Sequence, residues 1–405
     1  MRPSVLLLGN HPPPFGGVPT HIEYLASHLA LNGWQVHVVS MTGPRGDPVL
    51  QNGYTVHRPT RGERQAPLAR APFRAPGQLL RRTIQARRLA TEAPRLYLGS
   101  LALAEWARAL VLRHDLRLIS AYHLFSAGLV GTWLSQDLGL PLVTTIFGEI
   151  YENPELHRRR LDQVRQIVNQ SRVLLSCSRH CAASLRLLGL DTPVETVYYG
   201  VDTDRFSPER DGTPVRRRLD IPSGRPIVLY LARMNRLMGL DIVLEAIPLV
   251  LAHHRDAIFL LAGGRGELTE RAIEAQRRWP DHVRVAPDVP GEELPLCYAA
   301  ASVVVVPSIN NRACLGLAIE EALSSGKPVV VSNIGGGPEI VTDQNVGVLV
   351  PPADPAALAA GVSRYLGDEP QRNRVAASGR ALVLEQFDKN TTNRAIEACF
   401  QDLLR

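Results

Sequence analysis

An α/β fold of two doubly wound, Rossmann-like domains facing across a cleft is predicted by three observations. The chain has 405 residues, more than one ordinary hydrophobic core holds. Its apolar runs are short and continuous, as strands buried on both sheet faces require. A strand–glycine loop–helix–strand rhythm opens the chain and restarts after residue 220. At 45% apolar and 21% charged residues, neither disorder nor a fibrous class fits. The longest N-terminal apolar run, Val5–Leu8, is too short for a secretory leader, and no run of about 18 apolar residues exists to span a bilayer. A cytoplasmic protein is expected.

Ser4–Leu8 reads as the first buried strand, followed by a Pro/Gly loop from His11 to Pro19. Thr20 to Glu23 has the pattern of a capping box, with Ile22, Leu25 and Leu29 on one helical face. Gly33 closes that helix, and Trp34, Val36 and Val38 begin a strand. In the second half, Pro226–Leu231, Ile258–Ala262, Val303–Val306 and Val329–Val331 read as strands. Leu240–Leu251, Glu267–Arg278 and Gly316–Ser325 read as helices, and Asp354-Pro355 caps another over Ala356–Tyr365. Proline and glycine cluster near Asp202–Pro222, which predicts domains 1–202 and 203–388 and a terminal helix from 389 to 405.

The charge is +6, and only Lys327 and Lys389 among the 45 basic residues are lysine. From Arg58 to Arg95 there are ten arginines against Glu63 and Glu92, with prolines breaking the first half and Leu79–Leu89 forming a basic amphipathic helix. That segment is either a solvated arginine face or a surface for anionic lipid or an anionic acceptor. The five cysteines form no C-x-x-C pair, so neither a disulfide framework nor a zinc site is indicated.

Three features point to chemistry at the carboxyl ends of the strands. Phe15-Gly16-Gly17-Val18 joins the first strand to the first helix, where backbone amides approach phosphate. Gly316 and Leu317 open a helix after a buried strand, and Arg233 follows another strand with a guanidinium fork. Together they suggest a nucleoside diphosphate.

The C-terminal half resembles the retaining GT-B glycosyltransferases of family 4. The resemblance rests on Tyr199–Asp202, Arg205–Pro208, Leu231–Arg233, Gly264–Gly266, Val306–Ser308, Glu321–Val330, Gly336–Val341 and Gly347–Pro351, with Asp354. Gly16 and Gly17 are similar to the family's N-terminal loop. The resemblance implies donor-binding roles for Gly16, Gly17, Arg233, Arg236, Gly264, Ser308, Gly316, Leu317 and Glu321. Glu321 would hold the ribose and Arg233 would neutralise the leaving group, the pair most directly tied to catalysis. His21, His123 and Glu149 are acceptor-side candidates, Glu149 being read as a surface-loop carboxylate. No metal or other cofactor is expected beyond the nucleotide-diphosphate sugar co-substrate. The expected acceptor is a glycan, a lipid-linked compound or a small molecule, and no nucleic acid is expected.

Three positions depart from the family pattern. The first glutamate of its paired motif is Ala313, the lysine five residues after Arg233 is Met238, and a histidine before Gly148 is Phe147. Arg236 and Arg265 are the cations able to replace the missing lysine. The family's retaining reaction needs no enzyme nucleophile, so an active transferase is the leading expectation. A degenerate nucleotide- or partner-binding GT-B protein and a pseudo-sugar coupling enzyme are the alternatives.

Overall fold

A computed structural model describes residues 2–13, 16–74 and 76–405; Phe15 of the first glycine loop lies outside them. The chain divides into two compact units, residues 1–198 with 393–405, and residues 199–392.

Among the described residues the first unit has eight strands: β1 (Ser4–Gly9), β2 (Gln35–Ser40), β3 (Gly46–Gln51), β4 (Tyr54–Arg58), β5 (Leu118–Tyr122), β6 (Leu142–Ile146), β7 (Val173–Ser176) and β8 (Glu195–Thr196). Their order is β3-β4-β2-β1-β5-β6-β7-β8, all pairs parallel except β3 with β4. β1 is buried along its whole length, which explains its unbroken apolar run. The antiparallel edge β3 was not predicted, because its residues are mostly exposed and carry no periodic apolar signal.

Helix α1 spans Gly17–Leu31, four residues ahead of the expected start. Gly16, not Thr20, is the N-cap, and the Thr20 amide donates to the Gly16 carbonyl at 3.0 Å. Pro19 falls in the first turn, where an amide proton is not needed for the helix. The arginine-rich segment forms α2 (Arg61–Arg74), α3 (Pro76–Gln85) and α4 (Arg87–Glu92), then α5 (Pro94–His114). The expected break in its first half is therefore corrected: α2 runs through Pro67 and Pro72 and packs along α5. The expected single helix Leu79–Leu89 is instead split between α3 and α4.

Arg82 on α3 ties this segment to the core. Its side chain is 1% exposed, bonds Glu105 of α5 at 2.6 Å and pairs with Asp137, the buried acid of α6 (Ser126–Leu138), which Arg81 also engages. The terminal helix Lys389–Leu404 joins the first unit through Glu397, which accepts from Trp34 Nε1 at 2.9 Å and Asn32 Nδ2 at 2.7 Å. Phe400 meets Trp34 edge to face.

The second unit has six parallel strands, β9 (Ile227–Leu231), β10 (Ile258–Gly263), β11 (Val283–Pro287), β12 (Val303–Val306), β13 (Val329–Ser332) and β14 (Val348–Val350). Their order is β11-β10-β9-β12-β13-β14. The strand order reverses beside β9 here and beside β1 in the first sheet, so each unit has a switch point where loops diverge and leave a crevice. Among the described residues no helix is long and apolar enough to cross a membrane.

Replacing Arg82 by alanine leaves Asp137 buried beside a single, more exposed arginine. Urea unfolding of Arg82→Ala is expected to show a loss of about 3 kcal/mol. A loss no larger than that of an exposed arginine would contradict the anchoring role.

Candidate functional site

In the second unit, four loops meet at the carboxyl edge of the sheet. The loop after β9 receives the Ile309 amide on Leu237 O at 3.2 Å and the Asn310 amide group at 2.8 Å. It also gives the Met234 amide to Gly264 O, after β10, at 2.8 Å. Gly239 is left-handed (φ 76°), and a Cβ there would overlap the carbonyl of Pro307. Likewise, a Cβ on Gly336 would overlap the carbonyl of Cys314, while the Gly336 amide bonds Ala313 O at 2.9 Å. The loops thus touch backbone to backbone, with almost no side chain between them.

The predicted donor residues distribute over this edge as follows. Arg233 follows β9 and is exposed, its carbonyl accepting from the Tyr230 hydroxyl at 2.8 Å. Ser308 follows β12 and is buried, and Gly264 follows β10 and is exposed. Gly316 (φ 100°) is the N-cap of the helix Leu317–Ser324, whose end no side chain caps. Its leading amides and dipole suit an anion.

Glu321 lies on that helix, half-buried, and accepts from the Tyr298 hydroxyl at 2.8 Å. Burial raises its pKa to about 7, against the opposing pull of the Tyr298 bond and Arg205. Tyr298, 23 positions earlier, was not identified from the sequence; no local pattern links the two. Neighbouring Glu320 is fully buried, and among the described residues neither carboxylate oxygen has a hydrogen-bond partner. Burial first, then the charge of Glu321, pushes its pKa well above the ordinary value.

Two of the three departures, Met238 and Phe147, pack an apolar side chain against their surroundings, and nothing in the structure explains alanine at 313. Met238 packs against the apolar core of this unit, so its side chain fills space rather than carrying charge to the edge. Arg236 faces Asp241 at 3.7 Å and Arg265 bonds Asp288 at 2.7 Å, so each proposed substitute cation is paired within its own neighbourhood. Ala313 contributes its carbonyl to Gly336.

The first unit gathers its own predicted residues beside its switch point. Gly16 and Gly17 are exposed at the start of α1. His21, one turn on, is buried rather than open, edge to face with Tyr122, and burial lowers its pKa to about 3. Phe147, in the place of the family histidine, stacks near Tyr122 and lies 4.7 Å from the His123 ring. His123 is held left-handed at φ 80°, a conformation uncommon outside glycine.

The reading of Glu149 as a surface carboxylate is corrected. It is buried and accepts the amides of Leu124 at 3.1 Å and Phe147 at 2.7 Å, with His123 Nδ1 at 3.6 Å. Burial alone would raise its pKa, but His123 and the backbone donors outweigh it and the carboxyl sits below its usual value. Glu149 therefore clamps two loops together.

Two such units, each with glycine-rich loops at a switch point, define a two-domain Rossmann-like protein with ligand-binding edges. Residues 15–205 match the family described as Glycosyltransferase Family 4, and residues 213–382 that described as Glycosyl transferases group 1. The chain belongs to the GT-B glycosyltransferases. It is 33% identical over 282 residues to a D-inositol 3-phosphate glycosyltransferase of Xylanimonas cellulosilytica, covering 64% of this chain and 66% of that one. It is 29% identical over 235 residues to a GDP-mannose-dependent alpha-(1-6)-phosphatidylinositol monomannoside mannosyltransferase of Mycolicibacterium smegmatis, covering 56% and 62%. The chain thus spans just under two thirds of the length of these relatives. The solved structure of a Rickettsia africae glycosyltransferase aligns with TM-score 0.77 at 17% identity, covering 100% of this chain and 99% of that one.

The unfolded chain releases the Glu320 proton near pH 4.5, the folded protein only well above it. Stability is therefore full below about pH 4.5 and falls as pH rises, by at most about 1.4 kcal/mol per unit for this group. Glu321 acts in the same direction. Glu320→Leu is expected to raise the Tm near neutral pH by several degrees, with the gain shrinking toward about pH 4.5. A variant less stable than the parent at neutral pH would contradict this.

Proposed function

We propose that this protein transfers a glycosyl group from a nucleoside-diphosphate sugar to an acceptor hydroxyl, with retention of configuration and without a metal ion. The observation that carries the reading is the arrangement at the second unit's switch point. There Glu321, oriented by Tyr298, shares an edge with Arg233 and with the uncapped helix that starts at Leu317. Glu321 accepts from the ribose hydroxyls when ionised. The Gly316–Leu317 backbone and Arg233 take the diphosphate and stabilise charge as the sugar–phosphate bond breaks. The departing phosphate oxygen takes the acceptor's proton, so no protein nucleophile is needed. The acceptor is a hydroxyl compound of the phosphorylated cyclitol or lipid-linked kind, a reading supported by the names of the relatives. The protein works in the cytoplasm, with the arginine-rich helices resting on anionic lipid.

Ala313, Met238 and Phe147 favour a second reading, a nucleotide-binding partner subunit without turnover. A pseudo-sugar donor is the third, since these residues leave the sugar side of the site less polar.

Calorimetry with UDP, GDP and ADP is expected to detect binding of at least one. Arg233→Ala and Glu321→Ala should each weaken it at least about tenfold, the loss of one charge-assisted bond. No binding to any diphosphate would overturn the transferase reading. If binding is seen, mass spectrometry of nucleotide-sugar hydrolysis separates an enzyme from a silent subunit, and the anomeric proton coupling of the product tests retention.

A further inference from the structure

Between α4 and the helix Leu161–Gln170 lies a cavity of about 90 Å³, lined in part by Ile84, Gln85, Arg87, Arg88, Arg160 and Gln163. Its charge is lopsided. Three arginines, Arg87, Arg88 and Arg160, line it beside one acid, Asp162, which is largely exposed and stands 4.0 Å from Arg88 Nε. Arg88 also donates to Arg159 O at 2.9 Å.

Three polar atoms around this cavity are buried with no hydrogen-bond partner among the described residues: Gln85 Oε1, Gln163 Oε1 and Arg160 Nε. Gln163 itself is only 7% exposed. Buried polar atoms are nearly always paired, so three unpaired atoms on residues around one space leave hydrogen-bonding capacity for an occupant there. The chemistry of the orphans selects it. Arginine forks bind oxyanions, and amide carbonyls accept from hydroxyl groups. No side chain caps the helix that begins at Leu161, so its dipole adds to the positive field. Beside the cavity, Leu80 and Ile84 of α3 are 62% and 63% exposed, an apolar rim next to a basic pocket.

We propose that this cavity binds the phosphate of a polyol phosphate ester, either free or as the headgroup of an anionic phospholipid. The arginines hold the phosphate, and the two glutamine carbonyls accept from the polyol hydroxyls. This inference does not depend on the sugar-transfer reading, because it concerns a separate cavity within the first unit.

The full chain is titrated with inorganic phosphate and with glycerol 3-phosphate by calorimetry. It is then sedimented with vesicles of phosphatidylglycerol in phosphatidylcholine, and of phosphatidylcholine alone. Arg87→Glu and Gln163→Leu test the pocket. Arg61→Glu, on an exposed residue of the same basic segment, makes the charge change of the first outside the cavity. The proposal expects Arg87→Glu and Gln163→Leu to weaken binding at least about tenfold, and Arg61→Glu to leave binding of the soluble esters nearly unchanged and to lower vesicle capture far less than Arg87→Glu does. Capture by phosphatidylglycerol vesicles with this variant pattern identifies a lipid headgroup, and binding of the soluble ester alone identifies a free phosphate ester. Two results overturn the proposal: no binding of either form, or equal losses from Arg61→Glu and Arg87→Glu. Arg87 is exposed, so its substitution leaves the fold intact and keeps the test decisive if Gln163→Leu unfolds.

Discussion

The second unit depends on one constraint, the direct seating of backbone on backbone at the carboxyl edge of its sheet. The strand-end loop that carries Ser308, Ala313 and Gly316 rests on Gly239 on one side and Gly336 on the other. Neither position has room for a side chain, so these loops have one packing arrangement available to them. That rigidity aims the leading amides of the helix Leu317–Ser324 without help from a capping side chain.

Electrostatics adds a second layer. Two adjacent glutamates on one short helix are both pushed toward the protonated form by burial, but to different extents. Tyr298 gives Glu321 a hydrogen bond and restrains its shift, whereas Glu320 has only its neighbour's repulsion. The helix therefore carries one carboxyl pushed well above its ordinary pKa and one whose pKa is raised to about 7. In the first unit the balance is reversed at Glu149, where His123 and two backbone amides favour the charged form despite burial.

Much of the architecture was legible in the sequence, for a physical reason. Strands covered on both faces must be apolar throughout, so β1, β9, β10, β12 and β13 announce themselves. The misreadings fall where local signals and tertiary packing diverge. Pro67 and Pro72 suggested a broken segment, yet α2 has α5 to lie against. Thr20 had the letters of a cap, but Gly16 does the capping. The edge strand β3 is exposed and contains Pro48, so nothing in its composition marks it. Site residues split in the same way. Glycines and the arginine at strand ends could be found by position, whereas the Tyr298–Glu321 pair and the burial of Glu149 and His21 arise only from folding. The missing lysine was visible as a letter, and the packing of Met238 into the core gives it a cause.

If the backbone contacts at the sheet edge build the nucleotide site, adding a single methyl group there should destroy it. The most direct measurement is the dissociation constant for a nucleoside diphosphate in Gly336→Ala, alongside its circular dichroism spectrum. The account predicts a spectrum close to the parent's with affinity reduced at least about tenfold, because the Cys314 carbonyl must shift to admit the Cβ. Unchanged affinity in a folded Gly336→Ala protein would contradict it.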